Sequence, residues 1–133
     1  SGGTTADLVA KHLGKTITCD PFDLESDVPP VCYLDGIDLV TEGVVTLSHV
    51  VQTIREAVEK RNGPLQPLRD NAAGKLTRLL VNATDINLFV GSAVNVAHQN
   101  QGESFTFSFK MKQMEELKDL LVKLGKNVNL RYC

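Results

Sequence analysis

Three segments of the chain combine residue types that could hold a ligand. The first is Ser1-Gly2-Gly3-Thr4-Thr5, which leads into a helix. Glycines let backbone amides approach an anion closely, and a helix N-terminus favours negative charge. The hydroxyls of Thr4 and Thr5 would add hydrogen bonds. The segment lacks the lysine of a phosphate-binding P-loop, so a plain helix start is the competing reading. The second segment is Asp38 with Thr41-Glu42-Gly43, at the end of an apolar run and before a helix. Glu42 there could orient a hydroxyl, as acidic residues do in dinucleotide sites, or it could be a solvated loop residue. The third is Gly91-Ser92-Ala93-Val94-Asn95, running on to His98-Gln99-Asn100. Small residues after a strand would let a ligand reach the backbone, while Asn95, His98 and Gln99 would read its polar groups. A polar connector is the alternative.

Other chemistry is less well supported. His12, His49 and His98 show no paired-ligand spacing. Cys19 and Cys32 are thirteen positions apart with no Cys-x-x-Cys pair, which argues against zinc. With Cys133 they make an odd count of three, and the expectation is free thiols in a reducing cytoplasm. Asp35, Asp38 and Glu42 could gather around magnesium, but Asp35 and Asp38 would face opposite sides of a strand. No metal and no cofactor is therefore expected. Asn82-Ala83-Thr84 matches a glycosylation sequon, a chance match if the protein is cytoplasmic. Met111 and Met114 suit core packing.

Positioning these segments requires helices and strands in alternation. A helix runs from an N-cap at Thr4 to a C-cap at Gly14, with Leu8, Val9 and Leu13 as its stripe. A strand follows over 15–19. Residues 20–33, with Pro21, Pro29, Pro30 and four acidic side chains, read as a loop or flap. Residues 37–40 read as a buried strand. Thr46 would cap a helix carrying Leu47, Val50, Val51, Ile54 and Val58, stopped by Asn62-Gly63-Pro64. Asp70 would cap another with Ala72, Ala73, Leu76, Leu79 and Leu80. Residues 86–90 form the most apolar strand candidate, ended by Gly91. Phe105, Phe107 and Phe109 alternate with Thr106 and Ser108, the period of a half-buried strand. A helix with Leu117, Leu120, Leu121 and Leu124 ends at Gly125, and a strand closes the chain over 128–132.

This order predicts an α/β fold, a three-layer sandwich around a mostly parallel, Rossmann-like sheet of about five strands. Two right-handed crossovers are expected, from 37–40 to 86–90 and from 105–109 to 128–132. The three candidate segments would meet at the carboxyl ends of the strands. A length of 133 residues suits a single domain, and 42% hydrophobic with 23% charged residues is a globular composition. The formal net charge of −2 gives no electrostatic case for nucleic acid as main partner. No apolar run approaches the roughly 20 residues of a membrane span. A glycine turn with no strand before it suggests a fragment of a longer chain.

The blocks Gly2-Gly3-Thr4-Thr5-Ala6, Gly36-Ile37-Asp38-Leu39-Val40-Thr41-Glu42-Gly43 and Asn95 to Gln99 resemble a region of certain bacterial phosphatases. It is the region that follows the catalytic domain in serine phosphatases of the stage II sporulation protein E type. The resemblance extends to Gly125-Lys126-Asn127-Val128. It implies a type 2C-like parent enzyme acting on phosphoserine or phosphothreonine. Asp35-Gly36 is the single Asp-Gly here, so no catalytic residue carries over. What carries over is the role of a cytoplasmic accessory domain beside an upstream phosphatase domain. The leading expectation is a ligand-sensing domain for an anionic small molecule. Gly2, Gly3, Thr4 and Thr5 would hold the anion; Thr41, Glu42, Gly43, Gly91, Ser92, Asn95, His98 and Gln99 would complete the site. One alternative is a small enzyme acting on a phosphorylated or nucleotide substrate, with His98 as general acid or base and Glu42 as its partner. Another is an interaction module that forms a homodimer through an exposed phenylalanine stripe.

Overall fold

A computed structural model describes residues 3–60, 68–91 and 101–133, and of 101–106 the backbone only. The chain divides into two compact units, Ser1–Val50 with Gln66–Arg78, and Val51–Leu65 with Leu79–Cys133.

The first unit opens with α1 (Gly3–Leu13). Ala6 and Ala10, one turn apart, are its buried face. Gly14 ends it at φ 64°, with Lys15 N–H donating to the Ala10 carbonyl at 2.9 Å and Gly14 N–H to that of Lys11 at 3.4 Å. That is the Schellman pattern, and it needs the positive φ that glycine adopts without strain. The helix starts at Gly3, so Thr4 lies inside the first turn and is not the cap. The strands β1 (Thr18–Cys19), β2 (Cys32–Leu34) and β3 (Ile37–Val40) form an antiparallel sheet in that order. Strands β2 and β3 are a hairpin turning on Asp35-Gly36, where Gly36 takes φ 93°. The register shifts between Cys32 and Leu34, and past this irregularity Leu39 and Val40 are both buried. Ala6, Ala10, Cys32, Leu34 and Val40 form one core cluster, flanked by Val9, Ile17 and Ile37.

Two helices run across the unit boundaries. Helix α2 (Gly43–Glu59) buries Val50, Val51 and Ile54. Thr46 does not cap it: its hydroxyl is buried in the helix and donates to the Glu42 carbonyl at 2.6 Å. Helix α3 (Ala72–Asn82) is capped by Asn71, not by Asp70; the Asn71 Oδ1 accepts from Gly74 N–H at 2.9 Å. A methyl group on Gly74 would lie 1.9 Å from the Arg69 carbonyl oxygen, so the approach to α3 requires glycine there.

The second unit holds β4 (Asp85–Val90), α4 (Gln101–Lys123) and β5 (Asn127–Tyr132). Strands β4 and β5 pair in parallel over six positions, from Asp85↔Asn127 to Val90↔Tyr132, a βαβ arrangement with α4 as the connection. Ile86 and Val90 point inward, and Asp85, Asn87 and Phe89 point out. On the outer face the Asn127 amide donates to Asp85 at 2.9 Å and the Asn129 amide to Asn87 at 3.2 Å. Leu117, Leu120 and Leu121 are the buried stripe of α4, which ends in a second Schellman turn at Gly125. Arg55 donates from Nε and Nη2 to one carboxylate oxygen of Glu116, at 2.8 and 2.5 Å.

Beyond the three caps, these observations correct four further expectations. Among the described residues there is no five-stranded, mostly parallel Rossmann-like sheet: they form a mixed α/β fold with a three-stranded antiparallel sheet and a two-stranded parallel one. Strand 37–40 pairs with β2, so no crossover joins it to 86–90. Residues 105–109 are helix, part of α4, because the helical segment that buries Leu117, Leu120 and Leu121 propagates back through the five-residue alternation. Cys19 and Cys32 are not free thiols but a disulfide across a register pair of β1 and β2. Cys133 remains an exposed thiol.

The bridge closes a loop with a separation of 13 residues, and a loop of that size is expected to contribute about 3 kcal/mol by restricting the unfolded chain. Urea unfolding of Cys19→Ala/Cys32→Ala against the oxidised protein measures it. Gly74→Ala is expected to cost about 1–3 kcal/mol by forced displacement of the 69–74 turn. Gly91→Ala, with nothing within 4 Å of the added carbon, should stay within about 0.5 kcal/mol. Equal effects of the two in thermal unfolding would contradict the close approach.

Candidate functional site

The first two candidate segments come together in the first unit. Gly3 opens α1, and Thr4 and Thr5 are exposed on its first turn. Thr41 is buried at the end of β3, and the exposed Glu42 and Gly43 connect it to α2, Gly43 with φ 83°. The Glu42 side chain lies directly over Gly3. A Cβ placed on Gly3 would meet the Glu42 Oε1 at 2.3 Å, its Cγ at 3.0 Å and its Cδ at 3.1 Å. A side chain at position 3 would displace the end of the Glu42 side chain from that position.

The consequence is electrostatic. The first amides of a helix have no intrahelical acceptor and carry a partial positive charge. Glu42 brings a negative charge to that turn from the chain itself. The backbone around Glu42 is fixed: the Thr46 hydroxyl donates to the Glu42 carbonyl, and the positive φ of Gly43 turns the chain into α2.

The third segment starts in the second unit, where exposed Gly91 follows β4. Ser92, Asn95, His98 and Gln99 lie outside the described residues, as does Gly2. Pairing of His98 with Glu42 is likewise outside them. The phenylalanines sit on α4, with Phe107 half-buried and Phe109 exposed. On a helix, positions 105 and 109 share a face and 107 does not, so the expected one-faced stripe is absent.

Of the acidic trio considered for magnesium, Asp35 is already engaged. Lys15 Nζ lies 2.6 Å from its Oδ2 and also donates to its carbonyl at 3.2 Å. Among the described residues no group of three or more His, Cys, Asp or Glu side chains is placed to hold a metal ion. His12 is exposed on α1, and His49 on α2 contacts Asp27 at 3.1 Å. No helix among the described residues is long and apolar enough to cross a membrane.

Sequence reasoning missed three participants: the cap at Asn71, the Cys19–Cys32 bridge and the β2–β3 hairpin. The hairpin had a readable signal, Asp35-Gly36 between the apolar runs Tyr33-Leu34 and Ile37. No protein-family model, curated protein or solved structure matches the chain at significant similarity. The resemblance to the sporulation phosphatases therefore rests on the sequence blocks.

The Lys15 contact has a measurable effect on protonation. Its hydrogen bond, and then its charge, hold the Asp35 carboxyl below the ordinary 3.8. A lowered folded value means that the contribution to stability is present above pH 3.8 and is lost as pH falls through the folded value. Carboxyl NMR titration should place the Asp35 midpoint below 3.8, and Lys15→Met should return it toward that value. A midpoint unchanged by the substitution would count against the contact.

Proposed function

We propose that the chain is a regulatory, ligand-sensing accessory domain of a bacterial serine/threonine protein phosphatase, and that it binds an anionic small molecule at the start of α1. The observation that carries this reading is the Glu42 carboxylate lying over Gly3. The chain's own anion takes the place a ligand anion would take, which suits a site that exchanges an internal carboxylate for a phosphate or similar group. Gly2, Gly3, Thr4 and Thr5 would supply donors to the incoming anion. An upstream phosphatase domain would receive the signal.

A cytoplasmic location accompanies the phosphatase reading. The Cys19–Cys32 bridge weighs against it, because disulfides persist mainly in oxidising compartments. In a cytoplasm the pair would be kept as thiols.

The test is thermal unfolding in the presence of inorganic phosphate, nucleotides and sugar phosphates. A ligand at 100 times its Kd adds about 2.7 kcal/mol, a rise in Tm of roughly 5–15 °C for a chain of this size. Glu42→Gln removes the internal competitor and its repulsion, so it should tighten anion binding. Gly3→Val fills the space over the turn and should abolish it. If no compound moves the Tm of either the parent protein or Glu42→Gln, the reading fails.

A further inference from the structure

Apart from the buried Val28 and Val31, the loop Asp20–Val31 belongs neither to the candidate site nor to the core. Its ends are joined three ways. Asp20 N–H donates to the Val31 carbonyl at 2.9 Å, the Cys19–Cys32 bridge closes the strands just outside it, and the Tyr33 hydroxyl donates to Asp20 at 2.9 Å. Val28 and Val31 are buried and pin its returning limb. Between them the chain is tied to itself. Asp23 accepts from Glu25 N–H through its carboxylate at 3.0 Å and from Ser26 N–H through its carbonyl at 3.2 Å. The Ser26 hydroxyl accepts from Val28 N–H and donates to the Val28 carbonyl. Asp27 reaches His49 on α2. Pro21, Pro29 and Pro30 restrict the remaining backbone.

This frame displays apolar side chains outward. Phe22 is 71% and Leu24 90% exposed, the two most exposed large hydrophobic residues among those described. Around them stand Asp20, Asp23, Glu25 and Asp27, and the loop contains no Lys, Arg or His. An ordered loop that holds an aromatic and a leucine in water gains nothing from them within the fold. Preformed apolar anchors with a charged rim are what a protein interface uses, because little ordering entropy is left to lose on binding.

We propose that the Asp20–Val31 loop is a docking element for a partner protein whose surface presents an apolar pocket flanked by Lys and Arg. Phe22 and Leu24 enter the pocket, and the four carboxylates face the basic rim. The same charge excludes the other macromolecular classes: nucleic-acid phosphates and anionic lipid surfaces are repelled by it. The proposal is independent of the anion site, because it uses neither Gly3 nor Glu42.

The experiment uses fluorescence anisotropy with a panel of short synthetic peptides that combine Leu or Phe with several Lys or Arg. Matched peptides with Glu in place of the basic residues are the controls. Basic–apolar peptides are expected to bind the full chain, the acidic controls not at all, and added salt to weaken binding. Phe22→Ser/Leu24→Ser is expected to weaken binding about tenfold or more. Both side chains are exposed, so the variant's Tm should stay within a degree or two of the parent's. The proposal is overturned if no basic–apolar peptide binds, if binding survives the double substitution, or if the acidic controls bind equally well.

Discussion

Cys32 is where three constraints on the first unit coincide. Its side chain lies in the core cluster with Ala6, Ala10, Leu34 and Val40. Its backbone is in register with Cys19 on one side and Val40 on the other. Its sulfur carries the bridge to β1. A two-residue strand such as β1 has too few ladder bonds to stay paired by itself. The covalent link, buried at one end and exposed at the other, makes it a fixed edge. The register of β1 fixes the ends of the Asp20–Val31 loop, and the hairpin through β3 carries the chain to Glu42. Both candidate functional features thus depend on the same residue, through opposite neighbours in the sheet.

How much of the fold could be read depended on which signals were local. The glycine C-caps at Gly14 and Gly125 and the strands at Ile37–Val40, 86–90 and 128–132 follow from short-range chemistry, and the structure has them; the parallel pairing of the last two strands was not foreseen, because the expected partner of 128–132 was 105–109. The sheet as a whole did not follow, because strand–helix alternation says nothing about which strands pair. The antiparallel hairpin at Asp35-Gly36 places β3 beside β2, and that pairing removes the parallel sheet. The phenylalanine alternation failed for a related reason. Its five residues match a strand period, but they adjoin the turns of α4 that bury Leu117, Leu120 and Leu121. Tertiary burial of that long stripe decides the state of the whole segment.

For the candidate site the types of residue were legible and their relation was not. Gly3 and Glu42 were each singled out, as an anion cradle and as a ligand-orienting acid. Nothing in their spacing showed that one covers the other, a distance of 39 positions along the chain. That contact changes the role of Glu42. On the proposed reading, a ligand anion at this turn would meet the Glu42 carboxylate as a competitor. The disulfide was invisible for a similar reason: a separation of 13 residues has no characteristic motif, and only the pairing of β1 with β2 brings the two sulfurs together.

The charge of the first unit separates the two proposed activities. Its described residues carry nine acidic side chains against five Lys and Arg. That field favours a basic partner at the Asp20–Val31 loop and opposes any anion approaching α1. Anion binding at Gly3 must therefore come from short-range donors, the backbone amides and the Thr4 and Thr5 hydroxyls, acting against the long-range term. Salt screens the long-range term far more than contacts at hydrogen-bond distance. The two proposed activities would thus respond to ionic strength with opposite sign, the loop weakening and the helix turn gaining as salt rises. On the two proposals, one acidic surface would serve both because the partner is steered by its field and the anion would be held at contact range in spite of it.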